Sequence, residues 1–138
     1  MKKKTKIIIS VVAFVVAAIV TTGYIIISGM QKNLDNLKSI ESNDVDLSKI
    51  SDGTYSGSYK VLPISVEVSV TVKDHKITAI DLLKHDNGKG KAAETIINDV
   101  IKADSLKVDA VTGATYSSKV ILLAIEDALS IATETNNK

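Results

Sequence analysis

Apolar and polar positions change rhythm several times along the chain. From Ile7 to Ile27 the run is almost wholly apolar, broken only by Ser10, Thr21, Thr22 and Gly23. As a helix this run spans about 30 Å, the thickness of a bilayer core, and predicts a transmembrane anchor. From Ser28 to Ile50 the chain is polar, with Leu34, Leu37 and Ile40 at a spacing that fits a short helical stalk; a flexible tether fits as well. Ser42-Asn43-Asp44 reads as a break. From Ser51 the rhythm becomes that of strands. Asp52-Gly53 signals a turn, Thr54–Tyr59 a first strand with Gly57 at a bend or bulge, and Pro63 a connection. Val66, Val68, Val70 and Val72 then alternate with Ser65, Glu67, Ser69 and Thr71, which predicts a strand with one buried and one wet face. Asp74-His75 suits a two-residue hairpin, and a third strand over Lys76–Lys84 directs Ile80 and Leu82 to the core.

Beyond the strands, His85–Lys91 reads as a polar, glycine-containing loop. Ile96, Ile97, Val100 and Ile101 predict a helix over Ala92–Ala103, ended by Asp104-Ser105. Leu106–Val111 is expected to be extended, as a short strand. A last helix covers Lys119 to Ala132, with Val120, Leu123, Ala124, Ala128 and Ile131 on its buried face, Glu126 and Asp127 outward, and a fraying tail from Thr133 to Lys138. The expected organisation is a basic N-terminus (1–6), an anchor (7–27), a stalk or linker (28–50) and a folded domain (51–138). The fold class is α+β: a small antiparallel β-meander packed with two helices, preceded by a transmembrane helix.

Charge orients this plan. Net charge over the 138 residues is only +1, yet Lys2, Lys3, Lys4 and Lys6 crowd the start. Lysines before the apolar run, with no comparable cluster just after it, place the N-terminus in the cytoplasm and the domain outside, at a cell membrane. A cleaved signal peptide has an apolar core of only about 7–15 residues and a small-x-small cleavage site; this run is longer and no such site follows it. The absence of Cys excludes disulfides and thiolate metal sites. Residues 51–138 hold 10 Lys against 12 Asp and Glu, with no basic stripe interleaved with aromatics, which argues against nucleic-acid binding.

Candidate chemistry concentrates in Asp109-Ala110-Val111-Thr112-Gly113-Ala114-Thr115-Tyr116-Ser117-Ser118, just before the last helix. Thr112, Thr115, Ser117 and Ser118 are all potential helix caps, Gly113 permits a tight turn and Ala114 keeps the surface low. Such a junction suits an anion, through first-turn N–H groups and the helix dipole. It also suits an ordinary capped helix start.

The run Asp109-x-x-Thr112-Gly113-Ala114-Thr115 carries every fixed position of the covalent flavin attachment motif of the FMN-binding domain family, and the chain resembles that family over about Asp52–Ser130. The opening Asp52-Gly53-x-Tyr55-x-Gly57 pattern is shared by many of its members. The family includes the flavin-bearing, membrane-anchored subunits of the sodium-translocating NADH:quinone reductase and of Rnf-type complexes. The resemblance implies FMN joined through its phosphate to Thr115 by a separate flavin transferase that reads Asp109; a carboxylate that bonds turn N–H groups is the other reading of Asp109, compatible with the first. It further implies Thr112, Gly113 and Ala114 shaping the turn, and Tyr116 lying against the flavin ring; simple packing is the plain alternative for Tyr116. Ser117, where threonine is common, keeps a hydroxyl beside Ser118.

Other residues carry weaker signals. Many family members have a histidine where His85 stands, so His85 is a candidate contact to the flavin or its ribityl phosphate; a solvent-facing loop histidine is the plain alternative. His75 belongs to the hairpin turn, and two distant histidines make no zinc site. Asn87-Gly88-Lys89-Gly90-Lys91 lacks P-loop spacing, and its lysines read as a solvated face or as partners for a phosphate. The resulting expectation is a bacterial, lipid-embedded, extracytoplasmic FMN-bearing electron carrier between a membrane donor and an outside acceptor, with no catalytic residue of its own. The alternative is a tethered binding or sensor module that takes FMN reversibly or carries no flavin.

Overall fold

The computed structural model describes residues 2–86 and 90–136. Two compact units divide the chain, Met1–Asn33 and Leu34–Lys138.

The first unit lies within helix α1 (Lys2–Lys38), one helix long and apolar enough to cross a membrane. Its large apolar side chains, from Ile7 to Ile27, are all exposed, which a water-facing helix does not tolerate over such a length. The interrupting Thr21 and Thr22 donate their hydroxyls to the carbonyls of Ala17 and Ala18, at 2.9 and 2.8 Å, so neither polar group is left unpaired.

The second unit begins at Leu34, earlier than the expected boundary at Ser51. Leu37, on the last turn of α1, and Ile50 are fully buried in its core, so the segment read as a stalk belongs partly to the domain. The Ser42–Asp44 break is a clasp. Asn43 donates its backbone N–H and its side-chain amide to the two carboxylate oxygens of Glu126, at 3.1 and 3.0 Å. Asp44 accepts from the Ser105 hydroxyl and the Leu106 amide, at 3.0 and 3.1 Å. A 3-10 turn over Leu47–Lys49 follows, capped by Asp46, whose carboxyl the Ser48 hydroxyl and then Lys49 hold below the usual carboxylate range.

Three antiparallel strands, β1 (Gly53–Val61), β2 (Ile64–Lys73) and β3 (Lys76–Asp86), form a meander in the order β1-β2-β3. Asp74 and His75 both have positive φ, 52° and 61°, the conformation of a type I′ hairpin. The β2 alternation is as expected: Ile64, Val66, Val68, Val70 and Val72 are buried. Gly57 sits in an unbroken β1–β2 register opposite Val68, so it marks neither a bend nor a bulge. The irregularities lie in the β2–β3 pairing, between Glu67 and Val68 and between Thr71 and Val72. They bring Ile77, Ile80, Leu82 and His85 opposite Val72, Val70, Val68 and Val66. A three-residue step thus replaces the two-residue step twice, and His85 joins the inner face of a strand where a loop was expected.

The second helical segment starts as a 3-10 turn over Lys91–Thr95 and becomes α2 (Ile96–Ala103). It ends at Asp104, which takes the left-handed conformation (φ 53°) and accepts the Ile77 amide at 2.8 Å. Leu106–Val111 forms no strand; Leu106 at its start is instead held by hydrogen bonds with Ser42 and Asp44. Helix α3 (Thr115–Asn136) runs longer than expected at both ends and packs against β1 and β2. Residues Val120–Ile125, Ala128, Leu129 and Ala132 are buried. Ile131 is 45% exposed, contrary to expectation. Glu126 and Asp127, expected to point outward, are half-buried acceptors, Asp127 taking the Ser58 amide of edge strand β1 at 2.9 Å.

Candidate functional site

The Asp109–Ser118 stretch is built between two fixed points. Upstream, Leu106 is buried and tied to Asp44 and Ser42. Downstream, Ser118 is fully buried on α3, and its hydroxyl accepts the Val111 amide at 3.0 Å. Between them Val111–Ala114 makes a tight turn, closed by the Ala114 amide on the Val111 carbonyl at 2.9 Å. Gly113, at its third position, has φ +80°, the value a type II turn requires and the reason glycine stands there.

The helix then begins without a side-chain cap. The Ala114 carbonyl accepts the Ser118 amide at 2.9 Å, which makes Ala114 the N-cap residue and Thr115 the first residue of the helix. Alanine has no side-chain oxygen to bond the amides of the first turn, so the helix start carries no N-cap of its own. None of the four hydroxyls read as potential caps serves as the N-cap. They separate by burial instead. Ser117 and Ser118 are buried, at 2% and 0% exposure, while Thr112 and Thr115 are exposed. Nothing crowds the face of Gly113 either. An exposed hydroxyl at Thr115 and the positive end of a 22-residue helix are suited to a phosphate ester.

Asp109 is exposed, and the amides of Val111 and Ala114 are satisfied by Ser118 and by the Val111 carbonyl. Its carboxylate therefore does not close the turn. Tyr116 is half-buried against the core, with the Lys38 ammonium 5.8 Å from the centre of its ring. His85 is no solvent-facing loop residue: its side chain is 3% exposed, and Nδ1 lies 3.0 Å from Oε1 of Glu94 in the 3-10 turn before α2. His75 lies in the hairpin, with Nδ1 bonded to the Leu47 carbonyl at 3.2 Å. Asn87, Gly88 and Lys89 of the glycine-containing loop lie outside the described residues, and Lys91 is exposed.

The family model of the FMN-binding domain matches residues 62–130, half of the chain, from the end of β1 to most of α3. The chain belongs to the FMN-binding domain family. The matched region contains the whole Asp109–Ser118 stretch and His85, and it follows a helix fit to cross a membrane.

One residue of this FMN-binding domain went unnoticed in the sequence. The Lys119 ammonium donates to the carbonyls of Leu37, Lys38 and Ile40, at 3.4, 2.6 and 2.9 Å. It satisfies carbonyls at and just beyond the end of α1, and stands one helical turn beyond Thr115 on the same face of α3. A lysine one helical turn after Thr115 was the available signal. Its partners, 79 to 82 residues away, were not visible.

Proposed function

We propose that this chain is a membrane-anchored, extracytoplasmic electron carrier that holds FMN covalently, by a phosphoester to the Thr115 hydroxyl. The observation that carries the reading is the sorting of hydroxyls along the motif. Of the two exposed hydroxyls, Thr112 and Thr115, only Thr115 stands on the first turn of α3, whereas its neighbours Ser117 and Ser118 are buried. An external transferase can reach Thr115 and not the two serines. The ester oxygen comes from Thr115, whose proton leaves with the group displaced from the flavin donor. Nearby amides then bond the phosphate oxygens, and the helix dipole favours their charge.

FMN supplies the redox chemistry: it accepts and releases electrons. The chain supplies a fixed place, a local field and a tether. Covalent attachment suits a domain outside the cytoplasm, where a released cofactor would diffuse away. The four early lysines support the inside-to-outside orientation. A flavin transferase, a membrane electron donor and an extracytoplasmic acceptor are the implied partners.

The test is mass spectrometry of the full chain co-expressed with a flavin transferase and FAD. The expected product carries the mass of one FMN less one water, mapped to Thr115. Thr115→Ala is expected to fold and carry none, and Thr115→Ser to retain part of the label. Asp109→Ala is expected to lower flavinylation more than stability, because its carboxylate is outside the turn. Label on Ser117 or Ser118 would refute the choice of hydroxyl. An unlabelled chain beside an active transferase would favour the reversible binding module.

A further inference from the structure

Helix α1 opens on Lys2, Lys3, Lys4, Thr5 and Lys6, and the apolar run begins at the next residue, Ile7. Its first turn holds no acidic residue, and the first acidic residue in the sequence is Asp35, well beyond the apolar run. Lys3, Lys4 and Lys6 are exposed, and no ion pair among the described residues includes them. Local physics disfavours this arrangement in water. Lysines at the start of a helix oppose its macrodipole. Lys2 and Lys6 are also like charges four residues apart, a pair that destabilises a helix. Two unfavourable choices at one place point to a compensating anion outside the chain. The other end of the run differs, since Ser28, Gly29, Met30 and Gln31 follow Ile27 without a charge.

We propose that these lysines form a collar that binds the headgroup phosphates of anionic phospholipids around one end of α1. The inference rests on the reading of α1 as a membrane span. Lys2 to Lys6 covers about 6 Å along the helix. The polar layer on each side of a bilayer's hydrocarbon core is about 5–8 Å thick, so the collar fits within it. At about 100° per residue, the four positions spread over roughly 200° of the helix surface and meet several headgroups at once. Lysine's long apolar stem follows the helix while its ammonium stays among the phosphates. Negative headgroups there screen the lysines from one another and suit the positive end of the dipole. Ile7, Ile8 and Ile9, all exposed, face the acyl chains of the same lipids. The ligand is therefore a lipid and not free phosphate, and the uncharged far end of the run confines the preference to one leaflet.

The protein has no tryptophan, so single-tryptophan variants report on the lipid beside them. Ile9→Trp stands next to the collar and Ile26→Trp at the far end of the run, both at exposed positions. Each full-length variant would be placed in vesicles of equal parts phosphatidylcholine and phosphatidylglycerol, with bromine on the acyl chains of one lipid or the other as quencher. Brominated phosphatidylglycerol is expected to quench Ile9→Trp about twofold more than brominated phosphatidylcholine does. The two lipids are expected to quench Ile26→Trp equally. Combining Lys2→Gln, Lys3→Gln, Lys4→Gln and Lys6→Gln is expected to abolish the preference at Ile9→Trp, and arginine at the same four positions to keep it. Equal quenching of Ile9→Trp by both lipids would overturn the collar while leaving the span intact. The same preference at Ile26→Trp, or one that survives the glutamine changes, would overturn it as well. Quenching of neither tryptophan by either lipid would overturn the span, and the collar with it.

Discussion

A β-carbon on Gly57 would lie 2.3 Å from the backbone nitrogen of Ala128 and 2.4 Å from the carbonyl oxygen of Ala124. Strand β1 therefore rests directly on the backbone of α3, and no side chain fits between them. Both neighbours are backbone atoms, so a rotamer change cannot relieve the clash. Gly57→Ala is expected to destabilise the domain by about 1–3 kcal/mol or more, the range of overpacked cores. Gly23→Ala, where nothing lies within 4 Å, is expected to be silent. Urea unfolding of the full chain in micelles, followed by circular dichroism, measures both; equal midpoints would contradict this packing.

The inner and outer faces of β2 offer a second contrast. Val68 is fully buried opposite Gly57, while Ser69 is half-buried on the other face. Val68→Asp would bury an unpaired carboxylate and is expected to cost several kcal/mol, about 3 or more. Ser69→Asp is expected to cost little. Thermal unfolding separates them, and similar losses in both would refute the register.

The Glu126–Asn43 pair closes the segment after α1 onto α3. Removing the acceptor strands two donors in a partly exposed place, so Glu126→Ala is expected to cost about 1–2 kcal/mol. Hydrogen exchange is the sharper readout: amides of Ser39–Asp44 are expected to exchange faster, with those of β2 unchanged. Uniform acceleration through the domain would mean that the clasp is no local feature.

Topology follows from the early lysines and the apolar helix. A protease added to intact protoplasts is expected to remove the domain and leave the anchor behind. Protection of the domain, or a mature chain that begins beyond Ile27, would rule out this arrangement.

What the sequence determined by itself was whatever depends on local rhythm and local chemistry. The apolar run Ile7–Ile27 is set by composition alone. The β2 alternation holds because one face is buried and the other wet, and the Asp74-His75 hairpin holds because those types tolerate positive φ. The Asp109–Ser118 stretch is contiguous, so all its residues were legible before their geometry was known. Tertiary structure decided what depends on partners far along the chain. Leu37 and Ile50 are core residues only through partners elsewhere in the domain, so their sparse pattern looked like a stalk. His85 shares the inner face with Ile80 and Leu82 only because the irregularity between Glu67 and Val68 shifts β3 against β2; a period-two reading carried on from those two residues places it on the wrong face. Gly57 is required by a helix about 70 residues later, and a lone glycine in a strand does not name its neighbour. Among the four hydroxyls of the motif, sequence could not separate exposed from buried. The Ala114 carbonyl, by starting the helix one residue before Thr115, sets the rotation that turns Thr115 to solvent and Ser118 into the core.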